Sequence, residues 1–358
     1  MKLKLVDKLI SHEIVGRSGV TAIWLVSVYL FLAFLELVED TSLEDQIMLI
    51  LHILIVSVPR MIYELSPMIF LIGALLALMN LSKSSELLAL QAGGLSKRRI
   101  TTSIVGTSLV FAVLILAWGE FVVPVCESLK SSLTAGDNKS ELSDEPDFVN
   151  WIRDDNRFIY VEGRFQGTQQ YRVHIYHFDE NGRLYKQTES ALGKFDEDSD
   201  QLFLYHVNES NLIDGILEPI DNQELYLTIR LNHDVVRSQH RDPAELNLIE
   251  LYQTIRYLRK NGLNAEILDL SFWNRFVIPL SIIVMAAFAM LFNSKTNRGV
   301  NRGILVLVGL LFGLVYFAVQ QSAGYFAIIS GWPPVIGTFT ILCLFSIAAL
   351  IAQTEKNR

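Results

Sequence analysis

The stretch from Gly303 to Thr354 reads GILVLVGLLFGLVYFAVQQSAGYFAIISGWPPVIGTFTILCLFSIAALIAQT, 52 residues without Asp, Glu, Lys or Arg. A membrane-spanning helix needs about 20 mostly apolar residues. The run is therefore too long for one span and fits two joined by a tight turn. Gly331-Trp332-Pro333-Pro334 supplies the break, because adjacent prolines cannot continue a helix although proline suits a first turn. Helices are predicted near 303–329 and 333–353. Working outward, four more uncharged runs occupy 18–35, 65–82, 100–119 and 276–294. The pattern predicts six spans, three on either side of a long middle segment.

Composition agrees with this reading. The chain has 358 residues, 51% hydrophobic and 19% charged, with a mean hydropathy of +0.34. Soluble domains carry about 25% charged residues, so a wholly soluble protein, a disordered chain and a nucleic-acid binder with a basic surface are all excluded. The two cysteines, Cys126 and Cys343, exclude a disulfide-rich scaffold. Their predicted depths differ, so no bridge between them is expected. Residues 46–59, ending at Pro59-Arg60, are short for a span and suit an interfacial or packed helix.

Charge sets the expected orientation. Basic residues gather at Lys2, Lys4, Lys8 and Arg17, at Lys83, Lys97, Arg98 and Arg99, at Lys295, Arg298 and Arg302, and at Lys356 and Arg358. The short loop after the first span is acidic instead, with Glu36, Glu39, Asp40, Glu44 and Asp45. The positive-inside rule places both termini and the 83–99 and 295–302 loops in the cytoplasm. Counting 46–59 as a separate span would put the 83–99 loop outside; six spans satisfy every short loop.

The middle segment, about 119–271, then lies on the far side with a net charge of −13, against +5 for the remainder. Strands are predicted at Arg157–Glu162, Tyr171–Phe178, Arg183–Phe195, Gln201–Val207 and Leu225–Leu231. Asn181-Gly182 marks a hairpin between the second and third of these. Separating turns suggest a small antiparallel sandwich or jelly roll. Leu248, Leu251, Ile255 and Leu258, three or four apart, predict an amphipathic helix that stops at Asn261-Gly262.

Catalytic signatures do not emerge. The sequence holds no phosphate-binding Gly-rich loop ending in Lys-Ser/Thr, no His-Glu-x-x-His and no Gly-x-Ser-x-Gly. His174 and His177 stand three apart in a strand, hence on opposite faces. No metal site and no cofactor are implied. The loop Ser82–Gly94, SKSSELLALQAGG, stands out. Ser84 or Ser85 can cap a short helix with Glu86 in its first turn, Leu87, Leu88 and Leu90 give it apolar surface, and Gly93-Gly94 ends it. Such a helix at the membrane face could dock a peripheral partner; periodicity alone favours a mere connector.

Seven patches in order now carry a resemblance. They are Ser57-Val-Pro-Arg60, Ser85-Glu-Leu-Leu-Ala-Leu-Gln-Ala-Gly93, Gly119-Glu-Phe-Val-Val-Pro124, Phe158-Ile-Tyr-Val-Glu162, Tyr257-Leu-Arg-Lys-Asn-Gly262, Trp273-Asn-Arg-Phe-Val-Ile-Pro-Leu-Ser281 and Pro333-Pro-Val-Ile-Gly337. With the three-plus-three topology, the chain resembles the LptF/LptG permease family of the lipopolysaccharide export ABC transporter, and is most similar to its LptG branch.

The resemblance implies a six-helix membrane protein with an inserted periplasmic β-jellyroll. Its expected parts are residues 1–118 (helices one to three, coupling helix near 84–93), 119–245 (jellyroll), 246–271 (amphipathic helix and linker) and 272–358 (helices four to six). It implies a multi-pass subunit of the bacterial inner membrane that extracts lipopolysaccharide and passes it to a periplasmic bridge. ATP would be hydrolysed by a separate LptB-like dimer, not by this chain. Further partners would be an LptF-like paralogue and an LptC-like single-span protein. Ser85, Glu86, Leu87, Leu90 and Gln91 would couple to the ATPase, and Arg60 would meet a lipid A phosphate. Phe158, Ile175 and Tyr205 are candidate acyl-groove residues, within a wider inward set that includes Tyr160, Val173 and Phe203; a closed core of the same residues is the alternative, and the one that sequence alone favours. In one departure, Glu36 stands where relatives often have a basic residue, which implies either a substrate with a different phosphate pattern or a larger share of the charge on Arg60 and LptF. Alternatives are an LptF-type subunit, a membrane scaffold or regulatory protein coupled to an ATPase, and a lipid-modifying enzyme. The last would require acids, bases or metal ligands converging in the spans, and the uncharged runs hold none.

Overall fold

The computed structural model describes residues 2–39, 43–83, 92, 97–137, 148–154, 156–163, 171–179, 182–196, 201–213, 216–230, 241–260, 262–294 and 302–357. The chain divides into a membrane unit, 1–137 with 266–358, and a β unit, 138–265. Helices of the membrane unit are α1 (Lys2–Glu39), α2 (Leu43–Lys83), α3 (Lys97–Phe121) and α4 (Val123–Asp137). Past the β unit, whose one helix is α5 (Leu248–Lys260), follow α6 (Glu266–Ser294), α7 (Arg302–Ile329) and α8 (Pro334–Asn357). Six stretches among the described residues are long and apolar enough to cross a membrane: Asp7–Val38, Ile47–Ser82, Arg99–Thr134, Glu266–Leu291, Val306–Ile329 and Pro334–Thr354.

The 303–354 run folds into a helical hairpin. α7 stops at Ile329, Gly331 takes a φ of +70°, and α8 begins on Pro334. Trp332 N–H bonds back to the Ala327 carbonyl at 2.8 Å, closing the end of α7 as a glycine-terminated helix does.

Residues 46–59 do not form a separate packed or interfacial helix. They are the first third of α2, which runs 41 residues through Pro59 and Pro67. Neighbouring hydroxyls explain how prolines fit within a span. A proline at position i deprives the carbonyl at i−4 of its donor, and membrane helices tolerate this where another group re-satisfies it. Ser66 Oγ donates to the Tyr63 carbonyl, which Pro67 leaves open, at 2.8 Å. Tyr63 Oη in turn reaches the Arg275 carbonyl, which Pro279 leaves open, at 3.5 Å.

α2 is the hub of the membrane unit. Phe70, Leu71, Ala74, Leu75 and Leu78 are buried in one apolar cluster with Ile10 and Ile14 of α1, Ile104 of α3 and Ile282, Met285 and Ala289 of α6. α1, α3, α7 and α8 instead leave many large apolar side chains exposed, among them Trp24, Val113, Leu311 and Leu350. Outward apolar faces of this kind suit lipid or a partner subunit.

The boundary expected at residue 119 moves to 137/138. After α3 only Val122 interrupts the helix, and Val122 N–H and Cys126 N–H still bond back to Trp118 and Val122 carbonyls. Pro124 sits in the first turn of α4, where its missing N–H is harmless. Cys126 and Cys343 are both free.

The β unit holds six strands: β1 (Phe148–Asp154), β2 (Arg157–Gly163), β3 (Tyr171–Phe178), β4 (Leu184–Asp196), β5 (Gln201–Ile213) and β6 (Ile216–Arg230). They pair antiparallel in sequence order as one sheet. β1 was not among the predicted strands, and β5 and β6 extend well beyond their expected ends. At their near end Ile213 of β5 pairs with Ile216 of β6. At the β3–β4 connection Gly182 takes a φ of +73°, and Asp179 Oδ1 accepts from Arg183 N–H at 2.8 Å. α5 begins with a capping box: Asn247 Oδ1 accepts from Glu250 N–H at 2.9 Å and Glu250 Oε2 from Asn247 N–H at 3.0 Å. Gly262, at φ +69°, follows its end.

Register assigns the faces of the sheet. Ile159 lies opposite Ile175, Val161 opposite Val173 and Val173 opposite Ser190, and all five are buried, as are Leu204 and Val207. His177, Lys186, Thr188 and Glu209 continue this face as a polar end: His177 meets Thr188 Oγ1 at 3.1 Å and Lys186 Nζ meets Glu209 at 2.6 Å. Burial pushes the His177 imidazole below its usual range, helped by the charges of Lys186 and Arg157 and opposed by Glu209. On acidification the unfolded chain therefore takes up this proton first. Stability of the sheet should fall as pH drops below about 6.5, levelling off beneath the lower folded pKa. Hydrogen exchange of β3 and β4 amides across that window would show it, and the slope should flatten in His177→Gln.

Candidate functional site

Polar groups in the membrane unit concentrate at its two ends. At the N-terminal end, α1 ties both roots of the loop that joins α2 to α3. Asn80 Nδ2, three residues before α2 ends, donates to Glu13 Oε1 at 2.8 Å, and Arg17 Nε donates to the same oxygen at 2.9 Å. Past the loop, Arg99 Nη2 donates to Asp7 Oδ2. The candidate coupling residues Ser85, Glu86, Leu87, Leu90 and Gln91 lie in that loop, outside the described residues. What the structure adds is the anchoring of both loop ends to one helix.

At the opposite end Arg60 is engaged by the protein's own carboxylates. Its Nε donates to Glu64 Oε1 at 2.8 Å and its Nη1 to Glu127 Oε2 at 3.2 Å. Glu127 is 3% exposed and also faces Lys130 Nζ at 3.7 Å. Two cations and two carboxylates thus form a compensated cluster bracing α2 against α4. The neighbouring pair bridges the halves of the unit: Arg275 Nη1 of α6 donates to Glu120 Oε2 of α3 at 2.8 Å and to the Gly119 carbonyl at 3.3 Å. Sequence reasoning missed this pair, although Glu120 and Arg275 are the charges that bound two of the uncharged runs. Glu36 is exposed near the end of α1.

The three candidate acyl-groove residues do not line one surface. Ile175, 0% exposed, belongs to the buried face. Phe158 and Tyr205 are half-buried; Phe158, beside the buried Ile159, takes the other face because side chains alternate along a strand, and Tyr205 sits in the irregular stretch between Leu204 and Val207. Tyr160 and Phe203 lie with Phe158; Val173 joins Ile175. The expected inward set therefore splits, and Ile159, Val161 and Leu204 take the inward places. His174 contacts Glu162 and Glu189 at 3.7 and 3.8 Å, away from His177, as their spacing required. Among the described residues no cluster of three or more His, Cys, Asp and Glu has metal-binding geometry.

Comparison with known proteins supplies the family. Residues 8–353 match the model of the lipopolysaccharide export system permease LptF/LptG. The chain is 30% identical over 308 residues to the lipopolysaccharide export system permease protein LptG of Escherichia coli K12, covering 85% of this chain and 84% of the relative. It is 26% identical to the protein of the same name in Haemophilus influenzae, over 95% of both chains. A match over nearly its whole length, carried by six apolar helices with an antiparallel sheet inserted between the third and fourth, makes this chain a member of the LptF/LptG permease family.

Proposed function

We propose that the chain is an LptG-like permease subunit of an ABC transporter that extracts lipopolysaccharide from the bacterial inner membrane and delivers it to a periplasmic bridge. The observation that carries this reading is the interrupted six-span unit, matched along its length by relatives named for that export. The chain itself is a non-catalytic membrane subunit. Hydrolysis of ATP belongs to an LptB-like dimer at the loop between α2 and α3. An LptF-like paralogue and an LptC-like single-span protein complete the assembly, and the apolar outer faces of the spans offer them seats. The β unit stands in the periplasm, on the path of the exported glycolipid. Co-purification in mild detergent tests the assembly: an ATPase subunit should accompany the chain, with activity that changes when lipopolysaccharide is added. An assembly whose activity ignores lipopolysaccharide would leave only a scaffold.

Orientation and coupling have their own tests. A cysteine at Ser96 should resist an impermeant reagent in intact cells and react once the membrane is opened. Labelling from outside would invert the topology. Glu86, in the first turn of the coupling helix, pairs with a basic residue of the ATPase. Losing one member of a buried charged pair costs about 3–5 kcal/mol, so Glu86→Ala should release the ATPase or uncouple hydrolysis from transport. Normal assembly, hydrolysis and complementation by that variant would remove Glu86 from the contact.

A further inference from the structure

A cleft of about 370 Å³ opens between α1 and α3 at the N-terminal end of the membrane unit. Asp7 and Arg99 form its polar end. One turn further along α3, Ser103 is 7% exposed. Both Asp7 Oδ1 and Ser103 Oγ are buried and find no hydrogen-bond partner among the described residues. Such atoms are costly to leave unsatisfied, and here both line one opening. Beyond them the walls become apolar, with Val15, Val110, Phe111 and Leu114.

The dimensions and chemistry select a class of ligand. From Arg99 to Leu114 the lining of α3 covers about 22 Å at roughly 1.5 Å per residue. One leaflet contributes about 15 Å of hydrocarbon, so the cleft spans a headgroup region and one leaflet, charged where a headgroup lies and apolar where a chain lies. A purely anionic headgroup would meet Asp7, and a purely cationic one Arg99. A headgroup bearing both a phosphate and an amine satisfies each. Asp7 Oδ1 lacks a donor, and a primary ammonium supplies N–H groups whereas a quaternary ammonium has none. Gly106 keeps the wall open, for a Cβ there would meet nothing within 4 Å.

We propose that this cleft binds one glycerophospholipid with an ethanolamine-type headgroup, from the leaflet at the N-terminal end of the spans. Its phosphate meets Arg99, its ammonium meets Asp7 Oδ1, Ser103 Oγ donates to an ester carbonyl, and one acyl chain lies along Val15, Val110 and Leu114. The proposal does not depend on the transport reading.

The full chain, with whatever subunits accompany it, would be reconstituted in nanodiscs of equal ethanolamine and choline phospholipid, then released for native mass spectrometry. The unaltered protein should retain the ethanolamine lipid with about tenfold preference. Gly106→Leu places its side chain in open space, so it should fold normally yet retain about tenfold less lipid. Asp7→Asn should keep a bound lipid while the headgroup preference falls toward parity. Equal retention by Gly106→Leu, or an unchanged preference in Asp7→Asn, would overturn the proposal. So would a Gly106→Leu protein that keeps its lipid but loses a partner subunit, since the cleft would then seat a helix.

Discussion

Arg275→Ala should destabilise the membrane unit by about 3–5 kcal/mol, the range seen when one partner of a buried ion pair is removed. Arg275 is 8% exposed, and its guanidinium joins Glu120 Oε2 at 2.8 Å with the Gly119 carbonyl at 3.3 Å. The two residues belong to α3 and α6, on either side of the β insertion, so the pair closes a contact between halves far apart in sequence. Removing the guanidinium takes that partner from a carboxylate in a poorly solvated place. Arg275→Lys should recover only part of the loss, because a compact, strongly hydrated ammonium is harder to desolvate there than a guanidinium. Thermal denaturation in detergent measures the effect. A melting temperature in Arg275→Ala equal to that of the unaltered protein would show that the pair contributes specificity of packing and little stability. The double change Arg275→Leu with Glu120→Gln should be milder than Arg275→Ala alone, since an unpaired charge, rather than a lost attraction, makes the single change expensive.

Gly73→Leu is the second large effect, and its origin is steric. A Cβ at Gly73 would lie 2.2 Å from Ser18 Oγ, 2.6 Å from Ser18 Cα and 2.7 Å from Ser18 N. Two of those atoms are backbone and cannot rotate away, so α1 must leave α2. Small residues let helix backbones approach closely in membranes, where packing rather than hydrophobic burial drives association. Overpacking usually costs about 1–3 kcal/mol and more where the backbone must shift. Even Gly73→Ala carries the offending Cβ and should lower the melting temperature; Leu should go further and separate the helices. Disulfide crosslinking between cysteines placed in α1 and α2 reads that separation directly, and efficient crosslinking in Gly73→Leu would refute the close-contact account.

Much of the architecture is legible from residue order because two strong local rules operate. An uncharged run of about 20 residues has few soluble alternatives, and this located the six spans, the break at Gly331-Trp332-Pro333-Pro334 and the exclusion of a soluble fold. Turn and cap chemistry is equally local, so Gly182 and Gly262 marked true element ends. Residues 46–59 were misjudged because a proline read by itself predicts a break. Whether Pro59 and Pro67 interrupt α2 depends on hydroxyls and neighbouring helices that re-satisfy carbonyls.

The site residues needed the tertiary structure for a different reason. Strand alternation has a period of two, so shifting a reading frame by one residue exchanges both faces. Phe158, Tyr160, Phe203 and Tyr205 were expected inward for their size, but the register puts the smaller Ile159, Val161 and Leu204 there. Arg60 read as a free cation at a membrane surface because its partners, Glu64 and Glu127, come from the next helical turn and from 67 positions away. Still larger separations in sequence hid the pairing of Glu120 with Arg275 and the cleft between Asp7 and Ser103. By itself the sequence determined the spans, the inserted sheet and the family resemblance, since hydropathy and motif order are properties of the chain read in one direction. Which charges neutralise one another, which side of the sheet is buried and where a lipid could lodge were decided only by tertiary packing, because each is set by groups that meet across helices and strands.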